Sequence, residues 1–355
     1  MQDGRILVTG GAGFVGGNVA IALAQRHPNS EILAFDNLSR RGSELNLPRL
    51  REAGVTFVHG DVRDKDDLMS LDRIDALVEC SAEPSVMAGV DGSPDYVIRT
   101  NLMGAYHSLE LARRDNAQVV FLSTSRVYPV RRLLQIELEE TDTRFEIAAT
   151  QELPGISPAG VSENFPIWGA RTMYGATKLS AEHLIEDYVA GYGLRCVINR
   201  FGVIAGPWQM GRVDQGVFTY WMLAHYFKRP LGYIGFGGSG KQVRDVVHVD
   251  DVVELIEEQL ALPDEWSGHI ANAGGGREIS LSLRETTELC TEITGNRIEV
   301  GASDETRPGD VPLYISDCST LFERTDWRPT RDTKRILTDI YDWIRTNESA
   351  VLSAL

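Results

Sequence analysis

The sequence predicts an α/β protein, a doubly wound parallel sheet with helices on both faces, followed by a smaller, mixed α/β C-terminal region. Three observations predict it. Short aliphatic or β-branched runs alternate with amphipathic stretches through the first half, a glycine-rich turn joins the first run to a helix-forming one, and the alternation loses its regularity beyond Gly202. Residues 6–9, 32–35, 56–59, 76–80 and 119–123 read as strands, and a sixth run at 196–200 follows a long helical pattern over 174–192. The parallel layer is expected to close near that sixth run. Further on, helical patterns fall at 216–227 and 334–346, with a return segment at 250–262 between them. The expected division is a sheet domain of residues 1–201 with a return segment 246–273, and a second domain of 202–245 and 274–355. Residues 129–172 carry Pro154, Pro158 and Pro166 and hold no sustained period, so a substrate-facing flap is expected there.

Composition narrows the class. The 355 residues are 43% hydrophobic, enough for a sizeable core. Against 35 Lys and Arg stand 51 Asp and Glu, a formal charge of -16 that repels polyanions and argues against nucleic-acid binding. A small anionic ligand stays open, since it needs only a few arginines in one pocket. No apolar run approaches membrane-spanning length, and the opening Met1-Gln2-Asp3-Gly4 has no signal core, so a cytoplasmic location away from membranes is expected. Cys80, Cys196, Cys290 and Cys318 are far apart without a CxxC pair, so reduced thiols and no metal site are expected.

Directly after the first strand comes Thr9-Gly10-Gly11-Ala12-Gly13-Phe14-Val15-Gly16, with a helix-forming run at 18–25 behind it. Glycines at Gly10, Gly13 and Gly16 let a pyrophosphate approach backbone N–H groups at the positive end of a helix. Asp36, at the end of the second strand, suits hydrogen bonding to ribose hydroxyls, and its charge disfavours the extra phosphate of NADP. NAD is therefore the expected cofactor, although Arg40 and Arg41 stand close enough in sequence to accommodate that phosphate.

Tyr174-Gly175-Ala176-Thr177-Lys178 sets a phenol and an ammonium four residues apart at the start of a helix, hence on one face. A tyrosine with a pKa of about 10 makes a poor base near neutrality unless a cation stabilises its phenolate. Lys178 is placed to do so. The strand ending Ser123-Thr124 offers a hydroxyl to share the proton: Thr124, with Ser123 as the alternative, or simply a cap on the following turn.

At these residues the sequence resembles the extended short-chain dehydrogenase/reductases that process nucleotide sugars, and the likeness runs over almost the whole chain. It continues through Asp61-Val62, Asn101 after Arg99-Thr100, and Gly240-Lys241-Gln242-Val243-Arg244-Asp245. The resemblance implies a Rossmann-type domain with Asp61 at the adenine, Arg244 and Arg307 on the substrate's diphosphate and Asp310 near its ribose. It also implies cofactor contacts from Phe14, Val15, Asn37, Ser39, Arg40, Val62, Ser81, Ala82 and Asn101. Ser85, Arg126, Gln209 and Gln215 are implied on the substrate side.

Within the family, four passages resemble the branch that epimerises CDP-sugars at C2: Phe35-Asp36-Asn37-Leu38-Ser39-Arg40-Arg41-Gly42, Glu140-Thr141-Asp142-Thr143-Arg144-Phe145, Asp214-Gln215-Gly216 and residues 240–245. That likeness implies oxidation of a sugar carbon by NAD, rotation of the keto sugar and return of hydride to its other face. A homodimer is implied too, through helices around residues 96–114 and 174–192. Departures accompany the likeness. Ser125-Arg126 stand where related 4,6-dehydratases carry Asp-Glu, Val203 replaces an asparagine of many 4-epimerases, and Ala82-Glu83-Pro84-Ser85 differs from the usual glutamine-containing segment. A UDP-sugar 4-epimerase or another nucleotide-sugar oxidoreductase is the enzymatic alternative. A catalytically silent NAD-binding sensor is the alternative of another class.

Overall fold

The computed structural model describes residues 4–90, 92–211 and 215–354; Met1, Gln2, Asp3 and Asp214 lie outside the described residues. Seven strands form one parallel sheet: β1 (Arg5–Thr9), β2 (Glu31–Asp36), β3 (Thr56–His59), β4 (Ala76–Glu79), β5 (Gln118–Thr124), β6 (Cys196–Phe201) and β7 (His269–Ala273). Their spatial order is β7-β6-β5-β4-β1-β2-β3. Alternate residues of each strand enter opposite cores. Ile6, Val8, Ile32 and Ala34 belong to one, and Leu7, Leu33, Phe35 and Leu77 to the other. Such strands read as continuous apolar runs because both faces are covered.

The helices that matter are α1 (Phe14–Arg26), α2 (Gly104–Asp115), α3 (Met173–Tyr192), α4 (Val217–Tyr226), α5 (Val249–Ala261), α6 (Leu283–Thr294) and α7 (Thr333–Thr346). Val19 and Leu23 of α1 pack with Val252 and Ile256 of α5 on one face of the sheet. Leu109 of α2 and Ile185 of α3 cover the other. The chain winds outward from β1 to β3, then crosses back to place β4 on the other side of β1. That reversal opens a crevice at the C-terminal ends of β1 and β4, the switch point where open α/β sheets bind ligands.

Two expectations need correction. The layer does not close at β6, because β7 adds a seventh strand, paired Val197 to His269 and Phe201 to Ala273. Residues 129–172 are not a flap over the cleft. They form a short helix and two small hairpins whose Leu133, Ile136, Ile147, Val161 and Phe165 share a core with Val311, Leu313 and Ile315. None of them lines the cleft described below.

Leu231–Ile234 pairs in parallel with Val300–Ser303, and apart from that pair a second sheet centres on strand Val243–His248. It is flanked by Val203–Ala205, Ser280–Ser282 and Leu313–Tyr314, and only Ser280–Ser282 runs antiparallel to it. Helices α4, α6 and α7 close over it through Trp221, Met222, Cys290, Leu337 and Trp343. A reciprocal pair, Glu285 N to Ser282 Oγ at 3.0 Å and Ser282 N to Glu285 Oε2 at 2.9 Å, fixes the start of α6. Among the described residues no helix is long and apolar enough to cross a membrane, and the four cysteines are free thiols.

Candidate active site

A cleft of about 410 Å³ occupies the switch point and runs from the glycine turn to Arg126. Its first wall is backbone. Gly10 has φ of 61°, and a Cβ on Gly16 would stand 2.2 Å from the Gly10 carbonyl oxygen, so only glycine lets α1 start this close to β1. The helix begins at Phe14 without a side-chain cap, leaving its first N–H groups directed at the cleft. Gly10, Gly13, Phe14, Val15 and Gly16 all line it. Asp36 accepts from Ala12 N at 3.1 Å and Leu38 N at 2.8 Å. Burial pushes its carboxyl up, opposed by those backbone donors. These groups fit a dinucleotide: open N–H groups for the diphosphate and a carboxylate with acceptor capacity left for ribose.

The same wall carries Asn37, Ser39, Val62, Ser81 and Ala82. Arg40 donates to Gln215, whose Nε2 donates to Glu83 Oε1 at 3.2 Å, so Gln215 bridges two loops across the cofactor end rather than standing with the substrate groups. Arg41 donates to the Ser353 carbonyl oxygen at 2.5 Å, a different use from the phosphate contact its position suggested.

Thr124 and Tyr174 meet deeper in the cleft, with Lys178 one helical turn further along α3. Burial pushes the Tyr174 phenol up; hydrogen bonding with Thr124 and the charge of Arg126 oppose it. Lys178 is 2% exposed, and burial pulls its ammonium down, opposed mainly by Glu79. The choice between the two hydroxyls is decided by Glu182. Ser123 Oγ donates to Glu182, which is also held by Arg200 at 2.6 Å, so Ser123 is committed to a buried network behind the site. Thr124 faces Tyr174 and also accepts from Arg126 N at 3.2 Å, so it caps the turn as well.

Several expected contacts lie off the lining. Asp61 stands behind Asn37, accepting from it at 2.9 Å, and Arg63 holds its carboxyl down at about 2. Asn101 accepts from Glu83 N at 2.7 Å and donates to Glu83 O and Thr177 Oγ1, which uses its amide to brace the loop after β4. Ser85 Oγ accepts from Met87 N at 3.2 Å within its own turn. Gln209 does line the cleft, but its amide is engaged by Ile204 O and Thr219 Oγ1.

At the far end, Arg126 donates to the Gly309 carbonyl oxygen at 3.1 Å, and burial followed by Arg244 lowers its guanidinium to about 10. Arg244 is paired with Asp310 at 2.6 Å, and both stand off the lining; Asp250 and Asp251 pair with Arg331. Arg307 begins the turn that closes with Asp310 N donating to its carbonyl oxygen. Two residues sequence reasoning passed over complete the site, Glu79 at the end of β4 and Glu182 on α3. Glu79 left one signal, a charged residue inside a strand run that is otherwise apolar.

Fold and site together define a dinucleotide-binding enzyme with a tyrosine-centred proton path. The chain belongs to the NAD dependent epimerase/dehydratase family, which matches residues 6–274, and its cofactor is NAD. It is 30% identical to CDP-paratose 2-epimerase of Salmonella typhi, over 96% of this chain and 98% of that protein. It is 28% identical to a dTDP-glucose 4,6-dehydratase of Mycobacterium tuberculosis, over 97% and 94%. A solved UDP-glucose 4-epimerase of Thermus thermophilus in complex with NAD superposes with a TM-score of 0.75, at 27% identity and covering 96% of this chain and 99% of that one.

Proposed function

We propose that this protein is a nucleotide-sugar epimerase that inverts C2 of a CDP-sugar through a transient keto intermediate. The observation that carries an epimerase reading is the meeting of Thr124 and Tyr174 in a cleft whose other end is the glycine turn. NAD, when bound, supplies the hydride acceptor and donor. Tyr174 takes the proton of the sugar hydroxyl and later returns it, while Thr124 hydrogen-bonds the same oxygen. Arg126 supplies positive charge near the phenol, and Lys178, one helical turn along the same helix, is placed to add to it. Arg244 and Arg307 form the diphosphate end, where guanidinium forks match phosphate oxygens.

Likeness to CDP-paratose 2-epimerase favours C2 and a cytidine nucleotide. Elimination of water, the chemistry of the dehydratase relative, needs an acid–base pair after the threonine, and Ser125-Arg126 supply none. A UDP-sugar 4-epimerase is the second reading, favoured by the Thermus structure. Incubation with CDP-, UDP-, GDP- and dTDP-sugars, followed by NMR of the C2 and C4 configuration, separates them. Inversion at C2 of a CDP-sugar supports the proposal, and inversion only at C4 replaces it. The enzyme is further proposed to act in the cytoplasm as a homodimer, a reading supported by exposed Tyr96, Met103 and Tyr192 on adjoining helices. A monomer in sedimentation at working concentration removes the dimer.

A further inference from the structure

We infer that Glu79 is a positioning residue of this site, holding the Lys178 ammonium charged and in place one helical turn from Tyr174. The inference rests on the roles proposed for Tyr174 and Lys178. Glu79 closes β4 and is 2% exposed, as buried as the lysine it faces. Its two oxygens have different duties. Oε1 accepts from Ser81 Oγ and, more distantly, from Thr9 Oγ1 at 3.4 Å, which fixes the carboxylate on the sheet. Among the described residues Oε2 has no hydrogen-bond partner, and it lies 3.6 Å from Lys178 Nζ.

On its other side the ammonium sits 4.1 Å from the centre of the Phe121 ring. An ammonium so enclosed loses its proton readily unless a counter-ion faces it. The groups around it are few. Glu182 on α3 is already committed to Arg200 and Ser123, and Cys80 is a thiol that burial keeps protonated. Glu79 is therefore the carboxylate available to it. The arrangement has a second consequence, because the same negative charge opposes ionisation of Tyr174. Glu79 thus keeps the ammonium charged while its own charge counts against the phenolate, which leaves Lys178 to offset it, and Glu79 does not itself touch the reacting atoms.

The test needs no sugar nucleotide. Protein labelled with ¹³C at the lysine ε-carbons and loaded with NAD is titrated by NMR, with Lys178 assigned by its loss in Lys178→Met and with Lys65, Lys228, Lys241 and Lys334 as internal references. Glu79→Gln keeps the side chain's shape and removes its charge. It is expected to lower the Lys178 midpoint by about one pH unit or more, the effect of losing an opposite charge at this range. Glu79→Asp is expected to fall between the two. An unchanged Lys178 midpoint in folded Glu79→Gln overturns the inference. Should that variant not fold, the native protein decides, since a neutral Lys178 amine near neutral pH overturns it and an ammonium supports it. Failure of the proposed sugar chemistry would leave this titration as it is, so the two readings fail separately.

Discussion

The two ends of the cleft are built from different materials. At the cofactor end the walls are backbone: glycines whose replacement collides with neighbouring carbonyls, helical N–H groups, and a carboxylate held by two main-chain donors. At the far end the wall is the Arg126 side chain, held by the Gly309 carbonyl oxygen, with the Arg244–Asp310 ion pair adjoining it beyond the lining. Backbone walls change only if the fold changes, whereas a single substitution re-equips a wall of side chains. A common cofactor with varied sugar chemistry among relatives is the expected consequence.

That contrast breaks most sharply at Gly16. Gly16→Val places a side chain on the Gly10 carbonyl and is expected to abolish NAD binding, read by calorimetry on cofactor-free protein. Retained affinity would mean the wall is not backbone-defined. Tyr174→Phe, at the junction of the two ends, is expected to bind NAD normally and lose about 10²–10⁴ in kcat. Full turnover would remove it as the proton-transfer group. Arg244→Ala touches only the far end. It should raise KM by about tenfold or more, since charge-assisted hydrogen bonds are worth about 1.5–3 kcal/mol, with NAD affinity unmoved. An unchanged KM would leave Arg244 a structural partner of Asp310.

A separate effect, on stability rather than on binding, concerns Asp245, the neighbour of Arg244 on the same strand. Asp245 is fully buried, and added Cβ atoms on Gly202 and Gly274 would lie 2.6 Å and 2.1 Å from its oxygens. Burial pushes its carboxyl up to about 6. A raised carboxyl binds more protons folded than unfolded, so its contribution is present below the unfolded value and lost as pH rises through about 6. Asp245→Asn should therefore flatten the pH dependence of urea unfolding between about pH 4 and 7 and gain up to about 3 kcal/mol at neutrality. The wild-type slope persisting in the variant would contradict this.

The contrast also explains what was legible in the sequence. β1, β2, β4 and β5 announced themselves because strands covered on both faces read as mainly apolar runs, and the glycine turn because its spacing is a steric necessity. β7 gave no such signal. Its His269 and Asn272 interrupt the apolar pattern, and the Asn272 side chain finds its partners in Tyr128 and Val161, far away in the chain. Residues 129–172 read as a flap because their core residues lie on a one-turn helix, turns and short hairpins, where no period of 2 or 3.6 develops. Thr124, Tyr174 and Lys178 could be named from local spacing. The Arg244–Asp310 pair, the Gln215 bridge and the Glu79–Lys178 contact join distant segments, and only the folded chain brings them together.

The central claim is that NAD ends each turnover as it began. Following nicotinamide absorbance while NAD-loaded protein meets one equivalent of CDP-sugar tests it directly. The account predicts a transient rise of the reduced form that decays as the epimerised sugar appears. Lasting accumulation of reduced cofactor, or no redox change with any sugar nucleotide, would contradict it.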